Sequence, residues 1–288
     1  MTDGYFRNRD GLMLHYRDSP GSDAVPPLLC LPGLTRNTRD FDDLGARYAP
    51  RFRVLALDFR GRALSDPDPD PRRYHPLTYV NDVIELLDFL AVDRAIFVGT
   101  SLGGIVTMII AGVAPQRIAA AVLNDIGPDI DPTGLARIRG YVGKELHFAS
   151  WAEAAERIAA NNGGLPTYYG DEDWLRLAHR TCREEGGSIR FDYDIAIAAP
   201  FTASGPTPPV DMWPLYRALV AAAPVLIVRG ERSDLLSAPA LTAMVAAGDT
   251  VSGVTVAGAG HAPDLGEPEA LAALDDFLGC SDAGIKTG

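Results

Sequence analysis

A serine, a carboxylate and a histidine arranged along one chain can split a difficult acyl transfer into two easier steps, and this sequence offers such a set. Ser101 stands in "GTSLG", between Gly99 and Gly103, with the apolar run "AIFV" before it and "IVTMII" after it. A G-x-S-x-G pattern set between a strand and a helix is the context of a nucleophile elbow, in which the serine hydroxyl is projected above the sheet by a tight turn. Flanking glycines let the neighbouring backbone pass close without Cβ clashes. The start of the following helix has unpaired N–H groups, so Leu102 N–H is placed to meet an oxyanion.

A serine hydroxyl needs a general base. Of the five histidines, His15 falls in a first hairpin, His75 in "RRYHPL", and His147 and His179 in a helical region; each reads as a surface or packing residue. His261 lies in "GAGHAPDLGEP", a glycine-rich loop just after the last strand, and is the base that the chain order selects. The acid is expected after the strand in "APVLIVRGE". Asp234, four residues past Gly230, is assigned to orient the imidazole and stabilise its charged form. Glu231 is the competitor, and the other reading of Asp234 is a helix N-cap before "LLSAPALTAMV".

Elements able to hold such a set recur along the 288 residues. "YFRNRDGLMLHYRD" carries Asp-Gly between alternating segments, a β-hairpin signal. "PPLLCLPG", "RFRVLALDFRG", "AIFVGTS", "AAVLNDIGP", "APVLIVRGE" and "GVTVAG" read as short buried strands. Between them run helical stretches, among them "TYVNDVIELLDFL" with apolar residues at Val80, Val83, Ile84, Leu87 and Leu90. Such alternation predicts a mostly parallel sheet covered by helices on both faces, an α/β fold.

Residues 129–213 break the alternation. No convincing buried strand is evident there; "SWAEAAERIAA" and "EDWLRLAHRTCREE" read as amphipathic helices. The segment carries Trp151, Tyr168, Tyr169, Trp174, Phe191, Tyr193, Phe201 and Trp213, and proline-rich "SGPTPPVDMWP" leads back to the sheet. It is expected to form a helical cap over a pocket, inserted into a core domain of residues 1–128 and 214–288. The other reading is a separate helical packing unit.

Composition narrows the partners. With 47% hydrophobic and 22% charged residues the chain can bury a sizeable core. A net charge of −12 argues against nucleic-acid phosphates and anionic lipid surfaces, leaving a small-molecule substrate as the expected partner. Cys30, Cys182 and Cys280 form neither a metal pattern nor a disulfide framework, which points to a reducing compartment. The first residues lack a signal-peptide core, and the apolar stretch 103–115 is too short to span a bilayer, so a cytoplasmic location is expected. No metal and no organic cofactor are implied.

These motifs together resemble the α/β-hydrolase fold over nearly the whole chain, in its serine-nucleophile branch with a helical cap. "LDFRGRALSDP" is similar to the family's D-x-R-G-x-G-x-S loop, with Ala63 where glycine is usual; the likeness makes Asp58, Arg60 and Ser65 structural. "GHAPDLGEP" is similar to its G-H-x-x-x-x-E-x-P signature. The loop that normally reads His-Gly is here Pro32-Gly33-Leu34, and by position Leu34 N–H is the second oxyanion donor. Asp125 in "LNDIGP" follows a strand where some members carry their acid; it is read as a loop cap, with a site role as the alternative. Serine at 101 argues against the aspartate-nucleophile branches. The expectation is a hydrolase of esters or lactones of small, partly apolar substrates. The alternatives are C–C cleavage of the meta-cleavage-product type and a non-catalytic ligand binder.

Overall fold

The computed structural model describes residues 1–22, 24–202 and 211–284, and of residues 201–202 and 280–284 only the backbone. Much of the proline-rich stretch, and the side chains of Phe201 and Cys280, therefore lie outside the described residues. The strands are β1 (Thr2–Arg7), β2 (Met13–Ser19), β3 (Leu28–Leu31), β4 (Val54–Leu57), β5 (Ala95–Thr100), β6 (Ile118–Asn124), β7 (His147–Phe148), β8 (Cys182–Glu185), β9 (Ser188–Phe191), β10 (Val225–Gly230) and β11 (Val251–Val256). The helices are α1 (Asp42–Tyr48), α2 (Pro76–Phe89), α3 (Leu102–Val113), α4 (Pro132–Tyr141), α5 (Trp151–Asn161), α6 (Asp171–Thr181), α7 (Ala199–Thr202), α8 (Trp213–Ala222), α9 (Ala238–Val245) and α10 (Pro268–Gly284).

Eight strands form one sheet in the order β1-β2-β4-β3-β5-β6-β10-β11. The Asp10-Gly11 turn closes the antiparallel β1–β2 hairpin, with Arg7 opposite Met13. From β4 to β11 the strands are parallel. Their near-continuous apolar runs follow from burial on both faces: all four residues of β3 and all seven of β6 are buried. Alternate residues feed two cores. Leu29 and Leu31 pack with Val83, Leu86 and Leu87 of α2 and Val106 and Ile110 of α3. Leu28 and Cys30 join Leu44 and Tyr48 of α1 and Leu274 and Leu278 of α10. Burial pushes the Cys30 thiol well above its ordinary pKa, and Cys182, also a buried free thiol, is pushed up to about 12.

Between β6 and β10 the chain leaves the sheet and builds α4–α6 together with a three-stranded antiparallel sheet, β7-β9-β8. That small sheet corrects the all-helical expectation for this region. "CREE" does not prolong the preceding helix: Thr181 Oγ donates to Leu177 O at 2.7 Å, and Cys182–Glu185 then pairs with Ser188–Phe191. Gly186 and Gly187, both at positive φ, make the turn. A local core of Phe148, Ala154, Ile158, Ala178, Cys182 and Ile189 holds these elements together. Among the described residues no helix is long and apolar enough to cross a membrane.

Candidate active site

The turn from β5 into α3 explains both glycines of the "GTSLG" motif. A Cβ on Gly103 would sit 2.1 Å from Leu31 O, and one on Gly99 would sit 2.6 Å from the Gly103 backbone. Either would push the helix off the sheet. Ser101 itself is held at φ 52°, ψ −111°, a left-handed backbone that side-chain-bearing residues rarely adopt. Its N–H donates to Asn124 O at 3.0 Å, and its carbonyl accepts from Gly104 and Ile105 N–H at 2.9 and 3.1 Å. The serine is thereby fixed above the carboxyl edge of the sheet.

His261, in the loop after β11, meets it there. Its Nε2 lies 2.9 Å from Ser101 Oγ, and its Nδ1 lies 2.7 Å from Asp125 Oδ2. Asp125 accepts at that oxygen, so Nδ1 carries the proton and Nε2 is left to accept from the serine hydroxyl. Asp125 is fully buried and stands at φ 56°, a region that Asp tolerates better than most residues. Its Oδ1 accepts from Gly230 N–H at 2.8 Å, and Oδ2 also accepts from Ser233 Oγ at 2.5 Å. Asp125 thus makes the bonds of a loop cap, to Gly230 and Ser233, and its Oδ2 also meets the His261 ring.

Asp234, the acid expected from sequence, is elsewhere, and that assignment is corrected. Its carboxylate forms a bidentate pair with Arg137 of α4, at 2.6 Å from Nε and 2.8 Å from Nη2. The hydrogen bond from Arg137 holds the Asp234 carboxyl below the usual range. Two physical causes send it there. Ser233 Oγ accepts from Leu235 and Leu236 N–H, a turn that carries Asp234 towards α4. Meanwhile β6 lies between β5 and β10, so Asp125 emerges one strand from Ser101. Asp234 is not a helix cap either; Ser237 caps α9, accepting from Ala240 N–H. Glu231 accepts from Gly258 N–H at 2.8 Å, which leaves it tied to that loop rather than to His261.

Leu102 N–H opens α3 beside Ser101, and Leu34 N–H follows the Pro32-Gly33 turn after β3. Neither has an acceptor among the described residues. Arg62, fully buried, donates from Nε to Leu34 O at 3.0 Å and steadies that turn from behind. Asp58 accepts from Thr38 N–H and the His15 ring, and Ser65 Oγ donates to Asp58 O. Arg60 pairs with Asp82 and Asp68. All three are committed to internal bonds that hold the loop after β4.

Ser101 and His261 open into a cavity of about 140 Å³. Its apolar wall includes Ile138, Ile158, Leu165 and Leu177. Of the aromatics picked out in sequence, Tyr169 and Phe191 line it. Trp151 instead packs its ring at a tilt against His179, Trp213 donates to Asp129, and Tyr168 donates to Glu267. Polar residues without a warning signal in the sequence also line it: Arg36, Asp40, Asn161, Arg180 and Asp264. Burial raises the Asp264 carboxyl above its ordinary range although Tyr169 Oη donates to it.

A mostly parallel eight-stranded sheet with a serine at the turn between its fifth strand and the next helix defines the α/β-hydrolase class. The comparisons agree. Residues 28–274 match the model of the alpha/beta hydrolase family. The chain is 33% identical over 267 residues to 3-hydroxybutyrate-oligomer hydrolase of Cupriavidus necator, covering 90% of each protein. It is 32% identical over 254 residues to 2-(acetamidomethylene)succinate hydrolase of Mesorhizobium japonicum, covering 88% of each. The crystal structure of an alpha/beta hydrolase from Novosphingobium aromaticivorans DSM 12444 is 48% identical and superposes with a TM-score of 0.91, covering 96% of this chain and 98% of that one. This chain belongs to the alpha/beta hydrolase family, and general hydrolase activity goes with that membership.

Proposed function

We propose that the protein is a serine hydrolase that cleaves a carboxylic ester or lactone of a small substrate through an acyl-enzyme. The observation that carries this reading is the unbroken line of hydrogen bonds Ser101 Oγ–His261–Asp125 at the floor of the cavity. Ser101 Oγ attacks the carbonyl carbon while its proton passes to His261 Nε2, and Asp125 keeps the imidazole oriented and stabilises its cationic form. Leu34 and Leu102 N–H groups receive the oxyanion; in characterised enzymes, loss of one such donor costs roughly 3–4 kcal/mol. Collapse expels the alcohol, which takes the proton from the imidazolium. Water, deprotonated by the same imidazole, then releases the acid and restores the Ser101 hydroxyl.

In this reading residues 129–213 act as the cap. They supply Ile138, Ile158, Tyr169 and Leu177 to the cavity, and they are tied down on several sides. Besides Arg137–Asp234, Asn37 Nδ2 donates to Arg180 O and Arg39 pairs with Asp192. A cavity of this size under a pinned roof favours short acyl or cyclic groups over long lipid chains. The two curated relatives, named for a hydroxybutyrate oligomer and an acetamidomethylene succinate, support substrates built from short acids.

Fluorophosphonate labelling of the native protein, alongside Ser101→Ala, tests this. Covalent labelling and ester turnover are expected in the native chain, and both should vanish in the variant while its circular dichroism melt is retained. Turnover that survives Ser101→Ala would remove Ser101 as the nucleophile. A native chain that neither labels nor turns over esters would support the non-catalytic binder.

A further inference from the structure

Arg36 occupies a place that the hydrolytic chemistry does not explain. It lies two residues beyond Leu34, on the wall of the cavity that holds Ser101 and His261. A Cβ on Gly33 would meet Arg36 Cγ at 3.4 Å and Ser101 Cβ at 3.7 Å, so the stem of Arg36 and the serine face each other across one glycine. A guanidinium has five N–H donors. In Arg36, Nε donates to Asp40 Oδ2 at 2.7 Å, Nη2 donates to Asp40 Oδ1, and Nη1 donates to Thr181 Oγ at 2.9 Å. Two N–H groups are left with no acceptor among the described residues. Arg180, the residue before Thr181, lines the same cavity, and its Nη2 is paired with the largely exposed Asp43.

Two carboxyl groups share that wall. Asp40 has both oxygens on Arg36, while Asp264 accepts from Tyr169 Oη. The arginines are therefore held in place and retain donor capacity next to the nucleophile. Fixed guanidinium groups recognise carboxylates through paired, charge-assisted hydrogen bonds.

We propose that Arg36, assisted by Arg180, receives a carboxylate carried by the substrate, so that the preferred substrates are esters of short acids bearing a second, ionised carboxyl group. This deepens the serine-hydrolase reading and rests on it. Because Arg36 and Ser101 share one small cavity, the acyl chain between ester and carboxylate is short. Asp40 and Thr181 fix the guanidinium beforehand, so little side-chain entropy is lost when the carboxylate arrives.

The test compares p-nitrophenyl hemisuccinate with p-nitrophenyl butyrate, which are alike in length and differ in the terminal charge. The native enzyme should favour the hemisuccinate in kcat/KM. In Arg36→Gln that preference should fall by roughly 10- to 100-fold, the range of a hydrogen-bonded charge pair, chiefly through KM, and Arg36→Lys should restore part of it. A folded Arg36→Gln with an unchanged ratio, or a native enzyme that favours butyrate, overturns the proposal. If Arg36→Gln does not fold, Arg180→Gln and inhibition of the native enzyme decide. Succinate should inhibit competitively and succinamide should not; equal inhibition by the two, or none, overturns it. A native enzyme that hydrolyses both esters without preference defeats this inference alone. One that hydrolyses neither and takes no fluorophosphonate label defeats the serine-hydrolase reading as well.

Discussion

Two aspartates compete for the role of orienting acid, and one pair of isosteric substitutions separates them. Asp125→Asn keeps the volume of a fully buried side chain but removes its charge and turns one acceptor into an NH2 donor. The original oxygens accept from Gly230 N–H, Ser233 Oγ and His261 Nδ1. If the amide oxygen serves Gly230 N–H, the NH2 group confronts His261 Nδ1. The imidazole is then driven to carry its proton on Nε2, where it can no longer accept from Ser101. In serine hydrolases where such a swap was measured, kcat fell by about 10⁴. At 1.36 kcal/mol per tenfold, a loss of 10³–10⁴ is about 4–5.5 kcal/mol of transition-state stabilisation. Asp234→Asn should do far less. Its partner is Arg137, and both side chains are about one quarter exposed, at 28% and 25%. Solvent screening limits such a pair to on the order of 1 kcal/mol, felt as stability, with kcat held within tenfold. The assay is steady-state hydrolysis of a short p-nitrophenyl ester, with urea unfolding to confirm that each variant is folded. A thousandfold loss in Asp234→Asn, with Asp125→Asn near native, would refute the reasoning.

Two further expectations concern the loop after β4. His15 is almost fully buried between Asp58 and Asp3; burial lowers its pKa, but the hydrogen bonds and charges of the two aspartates outweigh this, and the net shift is upward from 6.5. Its contribution is therefore fully present below about pH 6.5 and is lost as pH rises through the raised folded value. Urea unfolding of the native chain at pH 6 and pH 8 should show a decline that His15→Gln reduces, and equal slopes would argue against the linkage. Arg60→Met should destabilise the fold by about 3–5 kcal/mol in the same assay, because it strands Asp82 as a buried carboxylate without a cation and leaves Asp68 only Arg73 at 3.9 Å; a loss under 1 kcal/mol would contradict that.

The parallel sheet was legible because burial on both faces writes itself as uninterrupted apolar runs, as in "LLCL" and "VLAL". The elbow was legible because two close backbone approaches demand glycine at 99 and 103. The small sheet between β6 and β10 was not. "HF", "CREE" and "SIRF" are short, and only Phe148, Cys182 and Ile189 of their ten residues are buried. Its strands are made by pairing across the Gly186-Gly187 turn rather than by a hydrophobic period. The polar cavity wall left no local trace either. Arg36, Arg180 and Asp264 come from three distant segments, and nothing in the sequence around each predicts the other two.

The misplaced acid shows most clearly where local reading ends. Asp125 and Asp234 both follow a buried strand, both lie between Ser101 and His261 in chain order, and both are flanked by turn residues. Order along the chain cannot choose between them, but order across the sheet does. With β6 between β5 and β10, the first residue past β6 emerges beside the elbow, where Ser101 N–H is already bonded to Asn124 O. Asp125 N–H in turn bonds to Val228 O at 2.7 Å, and Gly230 N–H returns a bond to its side chain. The loop after β10 is thus held against Asp125, and Ser233 supplies the hydroxyl that bonds Asp125 Oδ2. Asp234, the next residue along, is released to grip Arg137. In this arrangement the two aspartates have different partners: Asp125 Oδ2 bonds the His261 imidazole, and Asp234 ties α4 to the core through Arg137.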